Sequence, residues 1–189
     1  VPQRTLQAKL QTEIRDSDAF TNDNTELKGG ITLVCTEMQA VFHTVLSIYS
    51  RANRLPEHQE CLVCGEHSVK EDVVNFVNRW ARAQEHGRRS TIYVLAQLEH
   101  LTYSIQETFV QLVSSWHREW LKDTAQTGYK GLHEKRPLVL VTGACRTGDG
   151  EDANFILNEY NPQQYDPLPI ETLVKIGAVL PDAKHATVD

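Results

Sequence analysis

Two clusters in this sequence combine residue types and spacing that could carry chemistry. The first is His58-x-x-Cys61-x-x-Cys64-x-x-His67. Imidazole nitrogens and thiolates are the usual zinc donors, and Cys61-Leu62-Val63-Cys64-Gly65 has the shape of a zinc knuckle. Structural zinc, however, usually draws its ligands from two separated segments, and no second Cys-x-x-Cys occurs. The run Cys61 to Cys64 also reads as a strand, on which residues three apart project to opposite faces. The preferred reading is a pair of structural cysteines, and no metal ligand is assigned. A zinc-stabilised interaction module built on the four residues stays as an alternative.

The second cluster is Gly143-Ala144-Cys145-Arg146-Thr147-Gly148, which follows a buried strand and mimics the G-x-x-x-x-G of a phosphate-binding loop. The next two residues should be Lys, to reach the terminal phosphates, and Ser or Thr, to hold magnesium. They are Asp149 and Gly150, followed by Glu151 and Asp152. Carboxylates there repel phosphate, so the preferred reading is a surface loop and no nucleotide-binding residue is assigned. Cys145 lies at a strand end, but Arg146 is adjacent to it, whereas a cysteine phosphatase needs Cys-x5-Arg. No Gly-x-Ser-x-Gly elbow and no His-Glu-x-x-His pair occurs. His117, between Trp116 and Trp120, reads as a partly exposed packing residue. Tyr93, Trp80, Trp116 and Trp120 read as core or interface anchors. No catalytic residue is assigned. A stand-alone nucleotide-binding or enzymatic α/β protein is the other alternative. Its site would lie at the carboxyl ends of the strands, near Gly65, Gln97 and Gly143.

The elements that would position these residues run from Leu55 to Val141. Cys61-Leu62-Val63-Cys64 is a short apolar run after Pro56. Ser68-Val69-Lys70-Glu71 has the pattern of a capping box. Val69, Val73, Phe76, Val77 and Trp80 then recur at helical spacing, and Gly87 is a stop signal. Thr91 to Ala96 is rich in β-branched and aromatic residues and apolar at nearly every position, as expected of a strand covered on both faces. Leu101, Ile105, Phe109, Leu112, Val113, Trp116 and Trp120 mark a second helix ending near Asp123. Asp123 to Arg136 reads as a surface loop, and Leu138 to Val141 as a third strand. Strands alternating with amphipathic helices predict an α/β fold, a three-layer βαβαβ unit with a mainly parallel sheet. An N-terminal packing helix is expected over Thr32 to Arg51, its stripe made of Val34, Met38, Val41, Phe42, Val45, Leu46 and Tyr49. Met38 and Phe42 are read as core. C-terminal short helices are expected at Asp152 to Tyr160 and Ile170 to Val179. Residues 1–30 read as a polar, partly disordered arm, 31–160 as the α/β domain, and 161–189 as a linker and terminal helix.

Composition narrows the function classes. The 189 residues carry a net charge of -6, from 25 acidic and 19 basic side chains, so no electrostatic surface for nucleic acid is expected. The basic pair Arg88-Arg89 reads as a solvated turn. No apolar run reaches the ~20 residues of a membrane span. Cys35, Cys61, Cys64 and Cys145 lie in or beside apolar elements, which points to a reducing, cytoplasmic setting. Val1-Pro2-Gln3 does not resemble a start, and the chain is expected to be a piece of something longer.

Several short patterns carry a family resemblance. Ile48-Tyr49-Ser50-Arg51, Leu55-Pro56, Glu60-Cys61-Leu62-Val63-Cys64 and Glu71 to Arg79 resemble a segment of the mysterin-like giant AAA+/RING E3 ubiquitin-protein ligases. The likeness resumes at Ile92 to Leu95, Leu101 to Ser104 and Leu138 to Val141, and spans roughly Leu46 to Tyr160. In that family the resembled segment lies ahead of the ATPase core, and ATP, magnesium and zinc serve the parent protein. None of the family's catalytic residues has a counterpart at a position here. The resemblance implies a non-catalytic scaffold module, with other domains of the same polypeptide as partners and self-association through the parent.

Overall fold

The computed structural model describes residues 30–52, 54–83, 91–127, 137–143, 160 and 162–175. Among the described residues five strands form one sheet: β1 Ile31–Cys35, β2 Cys61–Val63, β3 Tyr93–Ala96, β4 Leu138–Thr142 and β5 Pro162–Gln164. Among the described residues three long helices accompany them: α1 Val41–Arg51, α2 Lys70–Ala81 and α3 Tyr103–Thr127. Strand order is β2-β3-β4-β1-β5, and each neighbouring pair is parallel.

The alternation along each strand decides the layers. Leu33, Leu95, Leu138 and Leu140 face α2 and α3, in a core with Phe76, Trp80 and Phe109. Val34, Val94, Ala96, Val139 and Val141 face α1, in a second core with Val41, Val45, Ile48 and Tyr49. The sheet is thus covered on both faces, which is why its central strands are apolar throughout. Each of the buried Val, Leu, Ile and Phe side chains among these contributes ~1.5–3 kcal/mol. Trp80 and Trp120 meet edge to face at 5.3 Å, as do Phe76 and Tyr93 at 5.9 Å, fastening α2 to α3 and to β3.

The three-layer α/β reading stands, and so do its three strands and two long helices, except that α3 runs to Thr127, through the first residues of the loop expected from Asp123. The N-terminal packing helix needs correction. Residues 31–35 form β1, and a 3-10 turn at Met38–Ala40 leads into α1 at Val41. The run Ile-Thr-Leu-Val-Cys is β-branched and apolar at almost every position, so a slot between β4 and β5 suits it better than one helical face. The stripe is narrower than expected as well. Met38 and Phe42 are 57% and 52% exposed, because Val41, Val45, Ile48 and Tyr49 fill the space over the sheet.

Two smaller differences are local. The capping box is displaced by one residue. Val69 is the N-cap of α2, the Asp72 carboxylate accepts its N–H at 3.2 Å, and the Ser68 hydroxyl instead accepts from Gly65 N–H at 2.8 Å. Residues 162–164, read as linker, pair with β1, and residues 165–168 lie along α1. A helix occupies 170–175 within the span expected for one. Residues 152–159 of the helix expected over 152–160, Gly87, Arg88 and Arg89, and residues 1–29 of the arm expected over 1–30 lie outside the described residues.

Candidate functional site at the carboxyl end of the sheet

The chain leaves β1 over one face through α1 to reach the far edge at β2. It returns over the other face through α2 and α3 to fill the places between. Connections from β1 and β3 therefore part company above β4, at the kind of switch point where open parallel sheets bind ligands. The side chains gathered there come from four connections: Thr36 and Met38 after β1, Cys64 and Gly65 after β2, Gln97 and Glu99 after β3, and Thr142 and Gly143 at the end of β4.

This end of the sheet is drawn closed. Thr36 N–H donates to Thr142 O at 3.0 Å, extending the ladder between β1 and β4 by one bond. Gly143 then passes so close to the turn after β1 that a Cβ built on it would lie 2.6 Å from Met38 Cα. The Glu99 carboxylate completes the closure. It accepts the Thr142 hydroxyl at 2.9 Å and Gly143 N–H at 3.2 Å. Thr142 is fully buried, so its hydroxyl needs such a partner. Gln97, one residue past β3, holds left-handed backbone angles, φ 59° and ψ 50°. A glutamine rarely adopts them, and the strain is set by a turn that must bring Glu99 back over β4.

Chemically, a backbone amide and a hydroxyl at the end of a parallel strand form an anion site. Here Glu99, from the same chain, is the anion. Sequence reasoning named Gly65, Gln97 and Gly143 and passed over Glu99. Its place three positions beyond a strand is no signal by itself, because the groups it binds lie more than forty residues away. Gly65 has open space around it and carries no steric demand. Ala144, Cys145, Arg146, Thr147 and Gly148 lie outside the described residues.

The His58, Cys61, Cys64 and His67 set is spread apart. Cys61 packs on the α1 side of the sheet and Cys64 on the opposite side, in the core with α2, while both histidines are exposed. Among the described residues no three His, Cys, Asp or Glu side chains converge on a point where a metal ion would sit. Burial pushes the Cys61 thiol up to about 11 and the Cys64 thiol up to about 12, with the Glu99 charge adding to the latter. Both are thiols, and poor ligands or nucleophiles, at neutral pH. Trp116 donates its indole N–H to Asn78 Oδ1 at 3.3 Å, and His117 beside it is half-buried.

A family model described as the RNF213 AAA domain matches residues 32–126. The chain belongs to this family. The match opens in β1 and closes near the end of α3, so it covers the βαβαβα run that builds both faces of the sheet. It starts earlier than the resembled patterns do, and the matched unit is an AAA domain, whereas the resemblance set the segment ahead of the ATPase core. No curated protein matches the chain, and no solved structure does. In a nucleotide-binding strand–loop–helix unit, G-x-x-x-x-G-K-[ST] joins the strand to the helix. In this RNF213-type AAA unit, β1 and α1 are joined by Thr36-Glu37-Met38-Gln39-Ala40, which contains neither glycine nor lysine.

Proposed function

We propose that this chain is a structural, non-catalytic AAA unit of a larger AAA+/RING-type ubiquitin ligase. ATP hydrolysis and ubiquitin transfer, with their ATP, magnesium and zinc, belong to parts outside this sequence. The unit works as a scaffold in the cytoplasm, against other domains of the same polypeptide, and self-association runs through the parent. The observation that carries the reading is Glu99. Its carboxylate takes the amide of Gly143 and the hydroxyl of Thr142, so both donors at the end of β4 are engaged within the chain. The lysine-free connection after β1 supports the same reading.

A second reading, a stand-alone nucleotide-binding α/β protein, is favoured by the strained backbone of Gln97 at the carboxyl end of β3. One titration separates the two. Calorimetry with ATP and excess magnesium should give no binding heat up to ~1 mM nucleotide. A dissociation constant below ~100 μM would overturn the structural reading and move function to the sheet end.

A further inference from the structure

Among the described residues β2 is a terminal strand, paired in the sheet with β3. Along a parallel pair, successive residues alternate between facing the partner and facing away. Val94 N–H donates to Glu60 O at 2.9 Å and Cys64 N–H to Ala96 O at 2.9 Å. Glu60, Leu62 and Cys64 therefore turn their main-chain groups toward β3, and Cys61 and Val63 turn theirs to the open edge. Glu57 O takes Cys61 N–H at 3.3 Å. Val63, 40% exposed, presents its N–H and C=O outward. An edge of three residues is too short to template sheet-to-sheet aggregation, but it can take one short segment.

Beside this edge lies an open cleft of about 530 Å³, lined by Leu62 of β2 and by Asp72, Asn75, Asn78, Arg79 and Arg82. Arg79 and Arg82 are exposed. Among the described residues of the lining the one carboxylate, Asp72, already accepts Val69 N–H. Two guanidinium groups facing one engaged carboxylate make the cleft locally positive, on a chain whose net charge is -6. The lining is also held in place. The Arg82 guanidinium lies 5.7 Å over the Trp116 ring, Asn78 Oδ1 accepts from Trp116, and Arg79 Nε donates to Asn75 O at 3.3 Å. Side chains fixed before binding lose less entropy when a ligand arrives.

We propose that the open edge of β2 and this cleft receive a short, extended, acidic peptide segment of a protein partner. The segment adds alongside β2, bonding its backbone to Val63. Its carboxylates meet Arg79 and Arg82 on the α2 side, and the apolar side chains that alternate with them point to the other face of the sheet, beside Val63. Main-chain bonds supply affinity in such strand addition, while alternate side chains supply selectivity.

The test uses the full chain and two fluorescein-labelled peptides of about eight residues. One alternates Glu with Val and the other alternates Lys with Val. Fluorescence anisotropy should show the Glu peptide binding in the micromolar to ~100 μM range, the Lys peptide not binding, and binding weakening as salt rises. The exposed double substitution R79E/R82E should weaken binding at least ~tenfold with an unchanged circular dichroism spectrum. Val63→Pro, which deletes the outward N–H, should weaken it by a similar factor. Should that variant not fold, a Glu peptide N-methylated at alternate residues replaces it as the probe of backbone bonding. The proposal is overturned by no binding of the Glu peptide at ~1 mM, by equal binding of both peptides, by indifference to R79E/R82E, or by indifference to the backbone probe.

Discussion

Gly143 is the residue on which the closed sheet end depends most directly. Its backbone torsion is not the reason; the reason is that a methyl group has nowhere to go. A Cβ would meet backbone, Met38 Cα at 2.6 Å, and Glu99 Oε1 at 3.0 Å. Backbone gives way less readily than the tip of a side chain. Gly143→Ala should therefore cost about 1–3 kcal/mol, an overpacking penalty seen as a lowered urea midpoint with the slope unchanged. An unaltered midpoint would mean that the turn after β1 can slide away from β4 at no cost, and the sheet end would then be less rigid than its contacts suggest. At the same scale, Glu60 shows how a fully buried charge is tolerated. Both of its oxygens lie 2.6 Å from Arg54 Nη2, at the amino end of β2 and far along the strand from Glu99.

At the scale of elements, α1 has three different faces. Val41, Val45, Ile48 and Tyr49 bury against the sheet. The Tyr49 hydroxyl lies 3.1 Å from both Glu60 O and Ile92 O, so its one proton is shared between the entries to β2 and β3. His43, Ser47 and Arg51, four residues apart, hold the segment after β5. His43 Nε2 donates to Leu168 O, Leu168 N–H donates to Ser47 Oγ at 3.0 Å, and Arg51 Nη2 donates to Asp166 O at 2.9 Å. Arg51 also sits 4.8 Å over the Tyr165 ring. Phe42 and Leu46 form the third, exposed face. The middle contact is the one that water cannot replace, since Ser47 is fully buried. Ser47→Ala leaves Leu168 N–H without its acceptor and should destabilise by about 1–3 kcal/mol. Amide exchange at Leu168 should accelerate well before that of β4 does. Equal acceleration at both would show that the segment and the sheet unfold as one unit.

For the molecule as a whole, the two buried layers share a titration property. Tyr49 on one side, Cys64 on the other, and Cys61 at the edge all have their ionisation pushed upward, first by burial. A group whose folded value lies above its unfolded one stabilises the fold fully below the unfolded value. That contribution is lost as pH rises through the folded value. For the cysteines the window opens at their ordinary 9.0 and closes at about 11 for Cys61 and about 12 for Cys64. Stability should thus be flat across neutral pH and decline in alkali. Urea midpoints at about pH 8 and about pH 10.5 should differ, the second being lower, and Cys61→Ser with Cys64→Ala should reduce the difference. A midpoint that holds steady between the two would mean that these thiols reach water in the folded state.

Periodicity alone made β3, β4, α2 and α3 legible, because each buries a face wide enough to impose a period of two or 3.6 on its residues. The opposed faces of Cys61 and Cys64 were legible by the same rule, and the structure places them on opposite sides of the sheet. Family membership was legible too, since patterned core positions such as Glu71 to Arg79 fall within the matched span. Three features were beyond the sequence. β1 looked helical because Val34, Met38 and Val41 have helical spacing by coincidence, and only the slot between β4 and β5 shows that 31–35 must be extended. β5 is short and polar, so its place is set by pairing with β1 and by the grip of α1 on residues 165–168. Glu99 gained its role from tertiary structure alone. Thr142 and Gly143 are more than forty residues away along the chain, and nothing local to Glu99 records that the left-handed turn at Gln97 will lay its carboxylate across the end of β4. Local patterns encode which face an element buries. Which elements become neighbours, and hence which donors an acidic side chain meets, is decided by the packing of the whole sheet.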